Sequence, residues 1–122
     1  MADGDTITVL DQSMSQHKVR LAGIDAPEKK QPFGQAWRRH LASLVANRNV
    51  TIETTKRDRY RREVGKVVVD GRDVNLGQVE AGLAWHYRQY AHEQPVDDRQ
   101  AYAAAEEAAR QARLGFWSEA NP

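Results

Sequence analysis

The sequence has 122 residues, which is enough for one compact domain and too few for two ordinary ones. Its hydrophobic share of 40% and charged share of 29% are typical of a globular protein, and no apolar run approaches the roughly 20 residues that span a bilayer. The absence of cysteine excludes disulfides and thiolate metal sites, and the net charge of only +1 means that attraction to a polyanion requires local clusters of basic residues.

The first half of the chain predicts a β-hairpin, a helix and a further strand. "TITVL" (6–10) and "HKVRLAGI" (17–24) are β-rich runs joined by a short polar segment, as in a hairpin with a longer loop. Apolar residues then recur at helical spacing over 33–46, and "NVTIETT" (49–55) alternates as a half-buried strand does. The helical spacing is set by Trp37, Leu41, Leu44 and Val45.

The second half predicts a strand, a turn and two helices. The strand runs through Val69 to an Asp70-Gly71 turn, and a short helix follows over about 76–83. A last helix is predicted over about 97–113, ended by Gly115 and packed through an alanine stripe. Strands first and helices gathered later indicate an α+β fold with a small antiparallel sheet or barrel. The stripe consists of Ala101, Ala105, Ala108 and Ala112.

Two acidic segments suggest a site for a hard cation. Asp3 and Asp5 flank a glycine, and Asp25 and Glu28 flank an Ala-Pro pair. Either segment could simply be a turn. However, a proline stiffens its loop and can aim the two carboxylates, and calcium prefers carboxylate and carbonyl oxygens. Asp5, Asp25 and a nearby carbonyl would suit such an ion better than a soft metal.

Basic residues lie close to the second acidic segment and in one dense loop. Arg20 and Asp25 would face opposite sides of a continuous strand, so they converge only if the strand ends or bulges, for which Gly23 is the plausible place. Arg20 could equally lie on the solvent face. The loop "KRDRYRRE" (56–63) offers guanidinium forks for phosphate and Tyr60 for stacking, or is merely a solvated hairpin loop.

Acids for a cation and arginines for a phosphate together indicate phosphodiester chemistry. Fixed positive charge stabilises a transition state whose negative charge lies on equatorial oxygens, and a carboxylate can take a proton from water. The histidines show no zinc spacing and are assigned no role, and the tryptophans are expected in the core. These residues are His17, His40, His86 and His92, and Trp37, Trp85 and Trp117.

Five segments, in order along nearly the whole chain, resemble the staphylococcal nuclease (thermonuclease-like) family. They are "DGDT" (3–6), "VRLAGIDAPE" (19–28), "RDRYRREVGKV" (57–67), "VNLGQVEAGLAW" (74–85) and "GFWSE" (115–119). The resemblance implies an α+β fold, a five-stranded antiparallel β-barrel of the oligonucleotide/oligosaccharide-binding (OB) type with three packed α-helices. It also implies a single domain over 1–122, with its first strand shortened at the N-terminus.

The resemblance also implies roles for individual residues. Asp5, Asp25 and the carbonyl of Ala26 would bind Ca²⁺, and the backbone ligand tolerates alanine where the family often has threonine. Glu28 would be the general base or orient the attacking water. Arg20 and Arg62 would grip the scissile phosphate. The residues expected to contact flanking phosphate and base are Arg59, Tyr60, Tyr87 and Tyr90.

Two departures from the family pattern carry expectations of their own. Arg61 stands where the family usually has glycine, and in a turn with φ > 0 an arginine costs roughly 1 kcal/mol or shifts the loop that aims Arg62. The chain also begins at "DGDT", whereas the family's first strand starts earlier. A shortened strand is expected to expose a barrel edge and to favour lower stability or pairing with another chain.

The leading hypothesis is therefore a calcium-dependent endonuclease that cleaves DNA and RNA and leaves 3′-phosphate ends. A rival is a nucleic-acid-binding module of the same fold that cuts weakly or not at all. A third is a calcium-stabilised domain without affinity for nucleotides. We expect a monomer with no obligate protein partner and no membrane association, and the family suggests a secreted or periplasmic protein, although no signal peptide is recognisable in this chain.

Overall fold

The computed structural model describes residues 6–28 and 30–119, apart from the side chains of residues 89 and 90. It contains short strands, three α-helices and two 3₁₀ helices within these ranges. In chain order the elements are β1 (Thr6–Leu10), β2 (Gln16–Leu21), β3 (Ile24–Asp25), α1 (Gly34–Val45), β4 (Thr51–Arg57), β5 (Glu63–Val69), β6 (Arg72–Asp73), α2 (Val74–Glu80), β7 (Trp85–His86), the first 3₁₀ helix (Arg88–Glu93), α3 (Val96–Gln111) and the second 3₁₀ helix (Gly115–Ser118). The predicted α+β class and the three α-helices are confirmed.

The main sheet has the strand order β1-β2-β5-β4, with β6 paired to the end of β5. The predicted hairpin is confirmed, because β1 and β2 pair antiparallel with Thr6 opposite Arg20. The prediction of a wholly antiparallel sheet is wrong, because β2 and β5 run parallel. The reason is topological: α1 and β4 lie between them in the chain, and a long crossover of this kind allows two neighbouring strands to point the same way.

A second, two-stranded sheet pairs β3 with β7, so that Asp25 lies opposite Trp85. Strands β1 and β4 lie at the two edges of the main sheet and are not hydrogen-bonded to each other within residues 6–28 and 30–119. A closed barrel is therefore not observed in this part of the chain. The break between β2 and β3 lies at Ala22 and Gly23, and Gly23 has φ +79. The predicted interruption of the strand at Gly23 is therefore confirmed.

The core lies between the sheet and the helices, and it is built from β-branched and leucine side chains with a few large aromatics. Trp37 of α1 is 1% exposed and Leu41, one turn later, is fully buried, as the helical spacing predicts. Trp85 and Trp117 are only half-buried, and Trp85 stacks on Phe116 with ring centroids 4.2 Å apart. Of the three tryptophans, Trp37 alone lies fully in the core.

Helix α3 packs through a different face from the one predicted. Its buried residues are Tyr102, Glu106 and Ala109, whereas three of the four stripe alanines are exposed and Ala105 is half-buried. The buried side chains include polar groups with fixed partners: Glu106 accepts a hydrogen bond from the His86 N–H at 2.8 Å. An aromatic ring and a satisfied carboxylate therefore determine the packing face, although alanine is more frequent in the helix.

Two glycines bring the end of α2 against the chain that follows α3. The N–H of Phe116 donates to Gly82 O at 3.0 Å. Both Gly82 and Gly115 have positive φ, and a Cβ on Gly82 would lie 2.2 Å from Leu114 O. This close backbone approach requires glycine, and it attaches the second 3₁₀ helix to the rest of the domain. In the described part of the chain, no helix is long and apolar enough to traverse a bilayer.

Candidate active site

A half-open groove of about 710 Å³ lies beside β2, β4 and β5 and is closed on its other side by the first 3₁₀ helix and the start of α3. Six of the side chains that line it are basic, four are acidic and three are tyrosines. These residues are Arg20, Lys56, Arg57, Arg59, Arg62 and Lys66; Glu53, Asp58, Glu93 and Asp98; and Tyr60, Tyr87 and Tyr102. The groove is therefore rich in cations and aromatic rings although the whole chain has a net charge of only +1.

Arg20 enters the groove from β2, where it is half-buried. Its Nη1 donates to the carbonyl of Leu21 at 2.7 Å, and the guanidinium carbon lies 5.4 Å from the centre of the Tyr87 ring. Tyr87 is itself held by a backbone hydrogen bond from its N–H to Gly23 O at 2.9 Å. The break at Gly23 therefore brings Arg20 and Tyr87 together, and Arg20 does not face bulk solvent alone.

Arg62 reaches the same region from a tight turn formed by residues 58–62, which we call the Asp58 turn. The N–H of Arg61 donates to Asp58 O at 3.1 Å, and the N–H of Asp58 donates to Arg62 O at 2.9 Å. The Arg62 side chain crosses to β1, where its Nη1 donates to Thr6 Oγ1 at 2.9 Å. Thr6 is the cross-strand partner of Arg20, so the Arg62 side chain reaches the strand position beside Arg20, and both arginines line the groove.

The Asp58 carboxylate holds this turn in place. Its Oδ1 accepts the N–H groups of Tyr60 at 2.9 Å and Arg62 at 3.0 Å, and its Oδ2 accepts from Arg62 Nε at 2.7 Å. Partial burial favours the neutral acid, but the hydrogen bonds from Arg62 and Tyr60 outweigh it and lower the pKa of Asp58. The carboxylate is therefore ionised at neutral pH and forms a charge-assisted pair with Arg62.

Arg61 has φ +65, so the expected left-handed conformation at the family's glycine position is confirmed. The turn is formed nonetheless, and Arg62 keeps both of its anchors, Asp58 and Thr6. Arg61 is exposed and does not line the groove. Arg61 therefore adds a backbone cost to the turn, and Arg62 is anchored at both ends in its presence.

The aromatic and basic residues predicted to contact substrate lie partly together. Tyr60 is 64% exposed, and its ring has the guanidinium carbons of Arg59 and Arg62 at 5.1 and 5.5 Å from its centre. Tyr87 lines the groove beside Arg20. The side chain of Tyr90 lies outside the described residues. An exposed tyrosine flanked by arginines can stack on a base while the arginines contact its phosphates.

The acidic loop leaves the groove at Gly23. Asp25 and Glu28 are both exposed, whereas Ala26 and Pro27 between them are buried. The Asp25 Oδ1 accepts the N–H of Ala26 at 3.1 Å, and the N–H of Glu28 donates to Gln31 Oε1 at 2.7 Å. A buried Ala-Pro pair thus anchors a loop that presents two carboxylates to solvent. Neither carboxylate lines the groove.

The oxygen atoms of this acidic loop are suitable ligands for a hard cation. A carboxylate at Asp25 and a carbonyl at Ala26 are oxygen ligands of the kind that Ca²⁺ takes, and exposure keeps Asp25 accessible to an ion. The predicted ligand Asp5 lies outside the described residues. Within residues 6–28 and 30–119, no cluster of three or more His, Asp or Glu side chains is placed to hold a metal ion. A complete ligand set therefore needs Asp5 or water.

Three features of the groove were not predicted from the sequence. The first is the role of Asp58, for which the sequence does offer a signal: Asp is favoured at the first position of a turn, because its side chain can accept N–H groups of the residues that follow. The other two are ion pairs across the groove, Lys56 with Glu93 at 2.6 Å and Lys66 with Asp98 at 2.7 Å. No local sequence signal identifies those, because each joins a sheet strand to a distant segment.

An α+β domain with a groove lined by arginine and tyrosine, beside an exposed acidic loop, has the features of proteins that bind single-stranded nucleic acid. The model of the family described as "Staphylococcal nuclease homologue" matches residues 18–119. The chain belongs to the staphylococcal nuclease family, whose domain has an OB-like α+β fold.

Proteins similar to this chain include two named "uncharacterized endonuclease". One, from Haemophilus influenzae, is 41% identical over 122 residues, and the match covers all of this chain and 65% of that protein. The other, from Escherichia coli O157:H7, is 45% identical over 121 residues, covering 98% of this chain and 74% of that protein. A "micrococcal nuclease" from Shigella flexneri is 41% identical over 128 residues, and the match covers 98% of this chain and 71% of that protein. The chain thus spans about two thirds to three quarters of these relatives.

Proposed function

We propose that this chain is a metal-dependent nuclease that hydrolyses phosphodiester bonds where the groove described above borders the acidic loop of Asp25 and Glu28. The family and the printed names of its relatives support a nuclease, that is, a hydrolase of phosphodiester bonds. The observation that carries the proposal for this chain is that Arg20 and Arg62 line one groove with Tyr60 and Tyr87, where Arg62 is bonded to Thr6, the cross-strand partner of Arg20. Single-stranded and flexible DNA or RNA are the substrates that such a groove fits.

The two arginines would stabilise the negative charge that develops on the phosphate as it becomes pentacoordinate. Their guanidinium groups can each donate to phosphate oxygens, and a removed donor of this kind typically costs about 10²–10³ in rate. Glu28 would take a proton from the attacking water, whose oxygen forms the new bond to phosphorus while the bond to the 5′ oxygen breaks. The 5′ oxygen then leaves with a proton, and the phosphate remains on the 3′ end.

Ca²⁺ bound by Asp25 and the carbonyl of Ala26, with Asp5 as a further ligand, would add positive charge next to the phosphate. The remaining roles are distributed over the groove. Arg59, Tyr60 and Tyr87 would contact flanking phosphates and bases, and Tyr90 is proposed for the same role from the family resemblance. The closed five-stranded OB barrel that the family resemblance implies, and export from the cytoplasm, are part of this proposal.

The test is nicking of supercoiled plasmid by the wild type with Ca²⁺ and then with a chelator. We expect nicking with Ca²⁺ only, and a loss of about 10²-fold or more in Glu28→Gln, because glutamine cannot accept the water proton. Arg20→Ala and Arg62→Ala should lose about 10²–10³ in turnover, since each removes a charge stabiliser.

Matched controls are available on the same chain. Arg39 is an exposed arginine of α1, and Glu80 is an exposed glutamate of α2; neither lines the groove. Arg39→Ala and Glu80→Gln should therefore nick plasmid as the wild type does. A wild type without calcium-dependent nicking, or a Glu28→Gln variant that cuts at the wild-type rate, would refute the proposal.

The second candidate is a binding module of the same fold that does not cut. The positions of Asp25 and Glu28 favour it, because neither carboxylate lines the groove that holds the arginines and tyrosines. Retention of a labelled single strand on a filter without any product under Ca²⁺, Mg²⁺ or Mn²⁺ would support this alternative.

A further inference from the structure

The guanidinium of Arg62 is held on two sides by groups from different parts of the fold. Asp58, in its own turn, accepts from Nε at 2.7 Å. Thr6, on β1, accepts from Nη1 at 2.9 Å. The Thr6 side chain belongs to a residue that is only 3% exposed, and the Arg62 side chain is 26% exposed. Two acceptors at a fixed separation determine both the position and the plane of a guanidinium, because its donors are rigidly arranged.

These two anchors leave the Nη2 group of the Arg62 guanidinium for a ligand. In the part of the chain that the structure describes, the hydrogen bonds of the Arg62 side chain use Nε and Nη1. The Nη2 group makes none within those residues, and Arg62 lines the groove. A guanidinium whose other donors are occupied has little rotational freedom to lose when it binds a phosphate oxygen, which is the condition for strong transition-state stabilisation.

We propose that Asp58 and Thr6 are positioning residues that hold the Arg62 guanidinium so that its Nη2 group donates to the scissile phosphate. This inference rests on the nuclease function proposed above. It assigns a role in turnover to the buried hydroxyl of Thr6 and to the carboxylate of the Asp58 turn. It treats the Asp58–Arg62 contact as more than an ion pair that stabilises the fold.

Two variants separate this role from the folding of the turn. Asparagine at position 58 keeps an Oδ1 acceptor for the N–H groups of Tyr60 and Arg62, but its amide nitrogen cannot accept from Nε. Asp58→Asn therefore removes one anchor of the guanidinium and retains the turn. Thr6→Val removes the acceptor for Nη1 while keeping the volume and the β-branched shape of the side chain. Thr8→Val, at an exposed position of the same strand, is the matched control.

We expect Asp58→Asn and Thr6→Val to lower kcat for plasmid nicking by about 10–100-fold with KM nearly unchanged, since misplacement of a catalytic group by about 1 Å can cost 10²-fold. Thr8→Val should match the wild type. In an Arg62→Ala background, Asp58→Asn should cause no further loss, because the group that it positions is absent. Melting curves identify any variant that is unfolded at the assay temperature, and the other variant then carries the test.

A second measurement does not depend on activity. The Nε–H of Arg62 should give a slowly exchanging signal in NMR spectra of the ¹⁵N-labelled wild type, and the signal should be lost or broadened in Asp58→Asn. Wild-type turnover in folded Asp58→Asn and Thr6→Val would overturn the inference while leaving the nuclease proposal intact. An equal loss from Asp58→Asn in the presence and absence of Arg62 would also overturn it. A wild type that shows the slowly exchanging Arg62 Nε–H signal but does not nick plasmid would refute the nuclease proposal itself.

Discussion

At the scale of single residues, Arg61 shows how a local cost is tolerated. A non-glycine residue at φ +65 is disfavoured by about 1–2 kcal/mol. The hydrogen bonds of the Asp58 turn, two of them to one carboxylate oxygen, oppose that cost. Because Arg61 is exposed, its side chain has room in this conformation. The turn therefore persists without the glycine that the family usually has at this position.

His17 is a second residue whose environment has a measurable consequence. Its Nε2 lies 2.8 Å from Asp11 Oδ2 and its Nδ1 lies 3.1 Å from Glu63 Oε2. Ionised carboxylates only accept hydrogen bonds, so both ring nitrogens must donate, and only the imidazolium does so. The hydrogen bond with Asp11 is the main cause that raises the pKa of His17 and lowers that of Asp11.

We predict that His17 stabilises the fold at mildly acidic pH. Because the folded-state pKa of His17 is raised, its contribution is fully present below the unfolded pKa of about 6.5 and is lost as pH rises through the higher folded value. Asp11 must also be ionised, and its pKa is lowered from the usual value of about 4, so the effect is largest between about pH 4 and 6.5. Melting temperatures of the wild type and His17→Gln should differ most in this window and converge in alkaline buffer.

Two further variants control for this effect. Asp11→Asn keeps the Oδ1 acceptor for Ser13 N and Ser15 N but removes the charge beside His17, so it should flatten the pH dependence. His92→Gln, at an exposed histidine of the first 3₁₀ helix, should leave it unchanged. A constant difference between the wild type and His17→Gln at every pH would contradict the ion-pair account.

At the scale of elements, α2 contains one glycine that could be replaced and is followed by another that could not. A Cβ on Gly77 would meet only Leu44 Cδ1, at 3.7 Å, whereas a Cβ on Gly82 would lie 2.2 Å from Leu114 O. We predict that Gly77→Ala stabilises the protein by about 0.5–1 kcal/mol, as is usual for a helical glycine. Gly82→Ala should destabilise it by about 3 kcal/mol or more, because strain at φ +72 adds to overpacking.

Urea denaturation of the two variants measures both effects on one scale. We expect the urea concentration at the midpoint of unfolding to be highest for Gly77→Ala, intermediate for the wild type and lowest for Gly82→Ala. A Gly82→Ala midpoint equal to that of the wild type would mean that the chain after α3 does not pack against α2 as described.

The same scale shows what sequence patterns can and cannot predict. The hairpin, α1 and the Asp70-Gly71 turn follow from spacing and turn chemistry, and they are observed. Asp70 and Gly71 have φ 51 and 76, as the tightest hairpin turns require. The parallel pairing of β2 with β5 was not predicted, because the periodicity of a strand indicates which of its side chains are buried but not which strand it pairs with or in which direction. The packing face of α3 was missed because small side chains suggested close approach, while the buried face is set by Tyr102, whose hydroxyl donates to Asp73 at 2.6 Å.

The candidate site, like the fold, was predictable only in part. The motifs identified Arg20, Arg62, Tyr60 and Tyr87, and the structure brings these four to one groove. The anchor at Thr6 was not predictable, because it depends on a guanidinium crossing from a distant turn to β1. The metal-binding role of Asp5 stays a prediction, because Asp5 lies outside the described residues.

At the scale of the whole molecule, the groove rather than the net charge should set affinity for polyanions. Three of its six cations are in ion pairs, Lys56 with Glu93, Lys66 with Asp98 and Arg62 with Asp58. Of these three, Arg62 is counted as available to phosphate because its Nη2 makes no hydrogen bond within the described residues. At most four are then available to phosphate, so the slope of log K against log salt for a single strand should be no steeper than about −3. Glu93→Gln removes the negative charge beside Lys56 and should steepen the slope by up to about 0.7.

Fluorescence anisotropy of a labelled oligonucleotide, titrated in chelator at several salt concentrations, measures these slopes without cleavage. Glu80→Gln makes the same charge change on α2, outside the groove, and should leave the slope unchanged. An identical slope in the wild type and Glu93→Gln would show that Lys56 does not contact the strand.

The parallel pairing of β2 with β5 has a consequence for the order of assembly during synthesis. A nascent chain that has left the ribosome only as far as Val50 can form the first hairpin, but the other edge of β2 has no neighbour until residues 63–69 emerge. Arg20 has then emerged while Arg62 is still inside the ribosomal exit tunnel. The pair of arginines proposed to bind phosphate is therefore completed late in synthesis, and truncated products that stop before residue 62 contain Arg20 alone.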